Sequence, residues 1–429
     1  MTAIENPAAN DARPAAPAIR AIPVPNAGIW PGLATPPKSK FKGAVARQLM
    51  KAAARTLPIR VCFPDGTWWG AGGPHAPRMD VIRPDAFLAR LGVDAKIGFG
   101  EAYMVGDWTT GRDTDLAELL TPFAEKMTEL IPPVLQKLRG VVERIQPTDE
   151  ENSLGQAESN IQRHYDLSNH LFENFLDSSM MYSSALFEGT DTLEQAQDRK
   201  VRGILDYARV RPDTHVLEIG TGWGELAIQA AKRGARVTTL TLSKEQRDLA
   251  MQRIAEAGVS DRVQVLLRDY REANGTYDAI LSVEMIEAVG EKYWATYFES
   301  IDRLLAPGGR FGLQAITMGH DEMIATRNAY TWIHKYVFPG GIIPSIKSIE
   351  DSLRFHTGLE VLERRDFGPN YARTLYEWRQ NFLANWPVIG QGGFDSTFKR
   401  MWEFYLAYCE AGFTSRYIGV SQFSIGSQV

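Results

Sequence analysis

The sequence predicts an α/β protein: a doubly wound, Rossmann-like parallel sheet preceded by a small α+β domain. Three observations carry this. From about Glu158 onward helical and strand patterns alternate, which implies parallel strands covered by helices on both faces. Within that region Gly220-x-Gly222-x-Gly224 joins a strand to a helix. Before it, short strands and glycine-spaced aromatics replace the alternation.

The first 37 residues are rich in Ala and Pro, lack any period and are expected to form a flexible arm. Lys38 to Arg60 holds seven Lys or Arg residues and no acid. Phe41, Val45 and Leu49 recur there at helical spacing, so the stretch reads as a basic amphipathic helix. It either attaches to an anionic membrane surface or packs between domains with a solvated basic face. IRVCFPDG and MDVIRPDAFLARLG follow as short strands and a helix, then the IGFGEAYMVGDWTT stretch and a helix over DTDLAELLTPFAEKM. A small domain over 38–150 results, with Pro132 to Ala157 as its linker to a large domain over 158–429. There HVLEIGTG, ARVTTLTL, VQVLLRDY, YDAILSVEMI and GRFGLQAIT read as strands. Gly234 and Gly258 end the two helices between the first three, and Ser243 caps the second.

Composition narrows the function. The 429 residues are 44% hydrophobic and 23% charged with a net charge of −5, so no basic excess calls for nucleic acid. Two cysteines, Cys62 and Cys409, are too few for a disulfide framework or a thiolate zinc site, and they fit a reducing cytoplasm. No metal site is expected. No apolar run approaches the roughly 18 residues that a membrane span needs. The start, MTAIENPAAN, lacks a signal-peptide pattern.

The glycine turn sets the ligand class. Its third glycine follows the second after one residue, not two, so the dinucleotide pyrophosphate fingerprint is not matched. Glu218 lies in the strand just before the turn, and Asp269-Tyr270 ends the third strand, where a carboxylate can read an adenine amine. The second strand ends in Leu240-Thr241-Leu242-Ser243, with Gln246 one turn later, and carries no acid for a ribose. Hydroxyl and amide groups can still bond ribose hydroxyls. Such a turn suits S-adenosylmethionine better than a nicotinamide cofactor, bound at the carboxyl ends of the strands.

Many separated motifs then share one order: HYDLSN (164–169), FLDSSMMYSSALF (175–187), SVEMIEAVG (282–290), WIHKYVFPGGIIPS (332–345), FGPNYARTL (367–375) and MWEFYLAYCEAGF (401–413). With the glycine turn and TLTLSKEQ they resemble the cyclopropane-fatty-acid and mycolic-acid synthases. These are S-adenosylmethionine-dependent enzymes acting on the double bond of a lipid chain. Within that family the sequence looks closest to the actinobacterial methyltransferases of tuberculostearic (10-methylstearic) acid synthesis. GFGEAYMVGDW resembles the family's N-terminal domain, which is thought to help bind phospholipid. The resemblance implies a class I methyltransferase domain with an added helical region, over 320–413, covering an acyl-chain channel.

Site residues follow from the matching positions. The resemblance places Tyr165, Tyr182 and Ser183 at the amino-acid end of the cofactor, with Gly220, Gly222, Trp223 and Gly224 at the turn. Gln246 lies in the family's TLS-x-x-Q, and Asp269 and Tyr270 occupy the adenine position. Family members bind bicarbonate as the base that removes a proton after methyl transfer. Of the residues that hold it, Glu287, Tyr371 and Ile316 are matched here, while Ser184 stands for a cysteine, Gln314 for a histidine and Ala288 for the histidine after the glutamate. Serine and glutamine can still donate to an oxyanion, and Glu287 is a second candidate to orient or accept the proton. Aromatic rings such as Trp332, Tyr336, Trp378 and Tyr405 can stabilise a cation on the chain.

The expected reaction is methyl transfer to an oleoyl chain of a membrane phospholipid, by a cytoplasmic enzyme working at the inner membrane face. A 10-methylene or 10-methylstearoyl lipid results. The alternatives are a cyclopropane synthase and a lipid-binding accessory subunit without catalysis. No second nucleotide fingerprint is present, so full reduction to a methyl branch calls for a flavin- or NADPH-dependent reductase as partner. A homo-oligomer is also compatible with the sequence.

Overall fold

In the computed structural model, residues 25–38, 40–126 and 168–427 are described. The chain divides into two compact units, one of residues up to Phe123 together with Ser396–Phe404, the other of Ala124–Asp395 with Tyr405–Val429.

The smaller unit starts with the helix Lys40–Ala54. A four-stranded sheet follows, in the order β2-β1-β3-β4, from β1 (Arg60–Cys62), β2 (Trp68–Trp69), β3 (Arg78–Val81) and β4 (Trp108–Thr110). Asp65-Gly66 makes the β1–β2 turn: the Asp65 carboxylate accepts from the Thr67 backbone N–H at 2.9 Å and from its hydroxyl at 2.7 Å. The helices Pro84–Val93 and Ala95–Met104 cover the sheet, with Phe87, Met79, Val81 and Trp108 wholly buried. Buried Asp107 is held by Arg83 at 2.6 Å and by Arg90 at 3.0 Å, since an unpaired charge there would be costly. Two sequence expectations are corrected. Residues 25–37 are not a free arm: Leu33 is buried and its carbonyl accepts from Arg90 Nη2 at 2.6 Å. Ser396–Phe404, assigned above to the large domain, packs with the small one, where Arg400 lies 3.9 Å over the Tyr103 ring.

The larger unit is built on seven strands: β5 (His215–Ile219), β6 (Arg236–Thr241), β7 (Val263–Leu267), β8 (Tyr277–Val283), β9 (Leu305–Met318), β10 (Glu360–Asp366) and β11 (Ile418–Gly426). Their order is β10-β11-β9-β8-β5-β6-β7. β5 to β9 run parallel, and β11 lies antiparallel between β9 and β10. Side chains alternate across the sheet: Val216, Ala279 and Leu281 enter one core with Leu226 and Ile254, while Leu217, Ile219 and Ile280 enter the other with Phe298 and Phe311. Both faces are covered, as the alternation of helix and strand patterns predicted. Ser243 caps the helix Lys244–Glu256, accepting from Gln246 N at 3.2 Å, and Gly234 and Gly258 follow their helices at φ of 93° and 71°. β10 and β11 were not anticipated. The charges of ERRD and the serines of IGVSQFSIG hide a strand pattern that only pairing reveals.

The order of strands reverses between β5 and β8. Ligands of open α/β sheets bind outside the carboxyl ends at such a point, and the turns after β5 and β8 are where the candidate residues gather.

Candidate active site

β5 runs into Gly220, Gly222 and Gly224, all left-handed at φ of 97°, 51° and 91°. A Cβ on Gly220 would lie 2.7 Å from Met285 Cγ, so the turns after β5 and β8 touch; a Cβ on Gly222 would meet nothing within 4 Å. The turn is thus open at Gly222, and Gly224 precedes the helix Glu225–Lys232. Trp223 is buried beneath it, its Nε1–H donating to Asn169 Oδ1 at 2.9 Å and its ring 4.8 Å from Phe172. Glu218 is buried beside the turn, and burial pushes its carboxyl up to about 8 against a bond from Thr239. Its Oε2 has no partner.

The acid-free second strand closes on itself: the Thr241 hydroxyl donates to Gln246 Oε1 at 2.9 Å, with Leu242 half-buried between them. Asp269 is engaged by Arg271, Oδ1 accepting from its backbone N–H at 2.9 Å and Nε at 2.8 Å, and Oδ2 from Nη2 at 2.6 Å. One acceptor position on Oδ2 stays available to an adenine amine. The Tyr270 ring meets Tyr297 edge-on at 5.4 Å. An open glycine turn, an unpartnered buried acid and a carboxylate with acceptor capacity fit S-adenosylmethionine. Tyr165 lies outside the described residues.

Tyr182 to Ser184 crosses the same end of the sheet, pinned by the helix Leu193–Tyr207. Gln197 Nε2 donates to the Ser183 carbonyl at 3.0 Å, and wholly buried Lys200 donates to the Ser183 hydroxyl at 2.6 Å. Burial pushes the Lys200 ammonium down to about 8. The Tyr182 hydroxyl meets that of Tyr405 at 2.6 Å. From Trp223 a run of ring contacts passes through Phe172, Tyr182 and Trp378 to Tyr371, at centroid distances of 4.8, 5.1, 5.3 and 6.1 Å. Trp332 and Tyr336 pair with one another at 5.5 Å.

That run ends on a carboxylate the sequence reading did not select. Glu284 Oε1 accepts from the Ser184 backbone N–H at 2.9 Å and from Gln314 Nε2 at 2.8 Å, and Oε2 accepts from the Tyr371 hydroxyl at 2.6 Å. Gln314 cannot turn away, because its own Oε1 accepts from Gln422 Nε2 at 2.9 Å. Glu287, three residues on, accepts from the Ile316 backbone N–H at 2.5 Å on Oε1, while Oε2 is sealed from solvent without a partner. Both residues are half-buried overall. Desolvation and the neighbouring Glu284 push Glu287 up to about 8. Glu284 is also raised by desolvation, but its three donors and Lys200 oppose the rise.

These contacts show what the expected base-site residues bond. The Ser184 hydroxyl donates to the Ala185 carbonyl at 3.0 Å. Tyr371 and Gln314 serve Glu284, and Ile316 serves Glu287. The donor set assigned to bicarbonate is therefore engaged, and a further anion would face two carboxylates. The residues present do not fit that ion.

The family described as mycolic acid cyclopropane synthetase matches residues 152–423. The chain belongs to the mycolic acid cyclopropane synthetase family. It is 46% identical over 409 residues to the tuberculostearic acid methyltransferase UfaA1 of Mycobacterium tuberculosis, covering 92% of this chain and 95% of that one. It is 34% identical over 388 residues to the cyclopropane-fatty-acyl-phospholipid synthase of Escherichia coli, covering 84% and 94%. Among solved structures, the mycolic acid cyclopropane synthase CmaA1 complexed with SAH and CTAB superposes with a TM-score of 0.58 at 30% identity, over 66% of this chain and 99% of that one. Cyclopropane synthase MmaA2 from Mycobacterium tuberculosis gives 0.58 at 31%, over 62% and 97%. The class I methyltransferase fold of the larger unit and its dependence on S-adenosylmethionine accord with this family.

Glu284, Lys200 and Gln197 are the residues the sequence reading missed. SVEMIEAVG contains two acids, and the first lies directly at the end of β8, the position where ligand-facing groups of such sheets stand. Lys200 and Gln197 carried no such signal, since a helix of mixed charge hides which of its polar residues face inward.

Proposed function

We propose that this family member methylates the double bond of an unsaturated acyl chain, oleoyl, on a membrane phospholipid, yielding a 10-methylene- or 10-methylstearoyl lipid. The observation that carries the proposal is the run of aromatic contacts from the glycine turn to a held carboxylate, in a chain 46% identical to a tuberculostearic acid methyltransferase. When bound, S-adenosylmethionine supplies a methyl group on a sulfonium, which an alkene can take without a base. Glu218, the glycine turn, Gln246 and Asp269 hold that molecule. An acyl chain that has gained a methyl cation equivalent carries positive charge, so its site must exclude water and offer electron-rich faces. Buried Trp378 and Tyr371 do both, and the Tyr371 ring stacks on Phe413 at 4.4 Å.

The test is incubation with labelled S-adenosylmethionine and dioleoyl phospholipid, followed by mass spectrometry of the acyl esters. A methylene-branched ester is expected. A cyclopropane ester would establish the second reading, favoured by the 34% identity to a cyclopropane synthase; unlabelled lipid would overturn both. Reduction to the methyl branch needs a flavin- or NADPH-dependent partner, whose addition should convert the methylene product.

Access to lipid is assigned to the helix Lys40–Ala54. Among the described residues no helix is long and apolar enough to cross a membrane. Phe41, Val45 and Leu49 are 81%, 47% and 45% exposed on this helix, while Ala46, Met50 and Ala54 are buried. An exposed apolar stripe among Lys42, Arg47 and Lys51 suits the interface of an anionic bilayer. Flotation with anionic vesicles should fall with rising salt and on Phe41→Ser; binding insensitive to both would overturn this role.

A further inference from the structure

We propose that Glu284 is the proton acceptor of the reaction, a carboxylate built into the chain at the position where the family resemblance implies a bound bicarbonate. This rests on the functional reading above. Four observations support it. The Ser184 backbone N–H, Gln314 and Tyr371 converge on the Glu284 carboxylate, leaving no donor of that set for a free anion. Glu284 stands at the carboxyl end of β8, next to Met285, whose side chain touches the glycine turn. Its carboxylate meets the last ring of the aromatic run, so it lies where a cationic acyl chain would be enclosed. Finally, its backbone is left-handed, at φ of 52°, a conformation that disfavours a side chain. Such a residue persists where the surroundings hold it, and here three bonds to its carboxylate and a 2.8 Å bond from its N–H to the Gln314 carbonyl do so.

The step is balanced. The methylated chain carries one positive charge. A Glu284 oxygen forms an O–H bond as a C–H bond of the transferred methyl breaks. The C–H electron pair becomes a carbon–carbon bond, as a double bond after a hydride shift or as the third side of a ring. Glu284 ends as a neutral carboxylic acid and the lipid as a neutral product. Glu287 serves as a neutral neighbour: with one backbone donor and an unpartnered oxygen, it does not compete for the negative charge.

Glu284→Gly tests this, because glycine accepts the left-handed backbone and empties the anion position. Wild-type turnover should be unchanged after removal of dissolved carbonate. Glu284→Gly should lose at least about 10²-fold in turnover while keeping cofactor affinity, and regain part of it with formate or bicarbonate. Independently of turnover, ¹³C-formate should bind Glu284→Gly and not the wild type, read by NMR. A carbonate-dependent wild type, a variant active within tenfold without added anion, or absence of formate binding would overturn the proposal. If Glu284→Gly fails to fold, Glu284→Asn decides by the same turnover criterion, since asparagine also tolerates this backbone. A wild type that labels no lipid would remove the functional reading, while the formate measurement would still report on the anion position.

Discussion

Two turns leave the sheet at the reversal between β5 and β8. After β5 the left-handed positions are glycines, at φ of 97°, 51° and 91°. After β8 the left-handed position is Glu284, at 52°. The first turn is stripped of side chains so that backbone N–H groups can approach a ligand. The second accepts a strain of roughly 1–2 kcal/mol to project a carboxylate into the same crevice. Neighbouring turns with related backbone conformation thus do opposite things: one makes room for a bound molecule, the other fills its space with a group of the chain itself.

Paired variants should separate the two. Glu284→Gln keeps volume and removes the charge, and should lower kcat by about 10²- to 10⁴-fold with little change in cofactor Kd. Gly220→Val adds a branched Cβ against Met285 in a left-handed backbone, and should weaken cofactor binding by at least about tenfold. Calorimetry with S-adenosylhomocysteine and single-turnover rates read the two quantities apart. Parallel loss of both in each variant would break the contrast.

Tyr371→Phe sharpens it. The groups facing Glu284 are Tyr371, Gln314 and the Ser184 N–H, with Lys200 and Glu287 nearby. Loss of one donor to the ionised form raises the Glu284 pKa, and a bond to a charged group is worth about 1.5–3 kcal/mol, or roughly one to two pH units. Glu284 acts only when ionised, so the acid limb of the kcat–pH profile should move to higher pH by about that amount. A uniform fall in kcat without a shift would mean that Tyr371 acts only on the acyl chain.

The sequence and the structure agree on the first turn far better than on the second, for a physical reason. A glycine turn is a local pattern: the spacing of Gly220, Gly222 and Gly224 between a strand and a helix specifies its own geometry. The parallel strands and the Ser243 cap were legible in the same way. The carboxylate site is assembled from residues 184, 284, 314 and 371, brought together by β8, β9 and the helix Gly368–Ala384. Matching positions found every donor, yet nothing local says which of two acids in SVEMIEAVG they will meet. β10 and β11 escaped for a related cause, since their pairing rather than their composition makes them strands.

The smallest effect on turnover should come from Glu287→Gln. Glu287 rises from 4.5 to about 8 in the native state, so near neutral pH it retains a proton that the unfolded chain gives up. The stability that this proton contributes is then fully present below about pH 4.5 and is lost as pH rises towards 8. Glutamine mimics the protonated form without that dependence: its carbonyl can still accept from Ile316 N–H. The variant should gain about 2–4 °C in Tm at pH 8, gain nothing at pH 4, and keep kcat within about threefold. If kcat instead falls as far as in Glu284→Gln, the two acids share one titration and act as a unit. The base would then belong to the whole turn after β8, and Glu284 would owe its role to its neighbour as much as to the three donors that hold it.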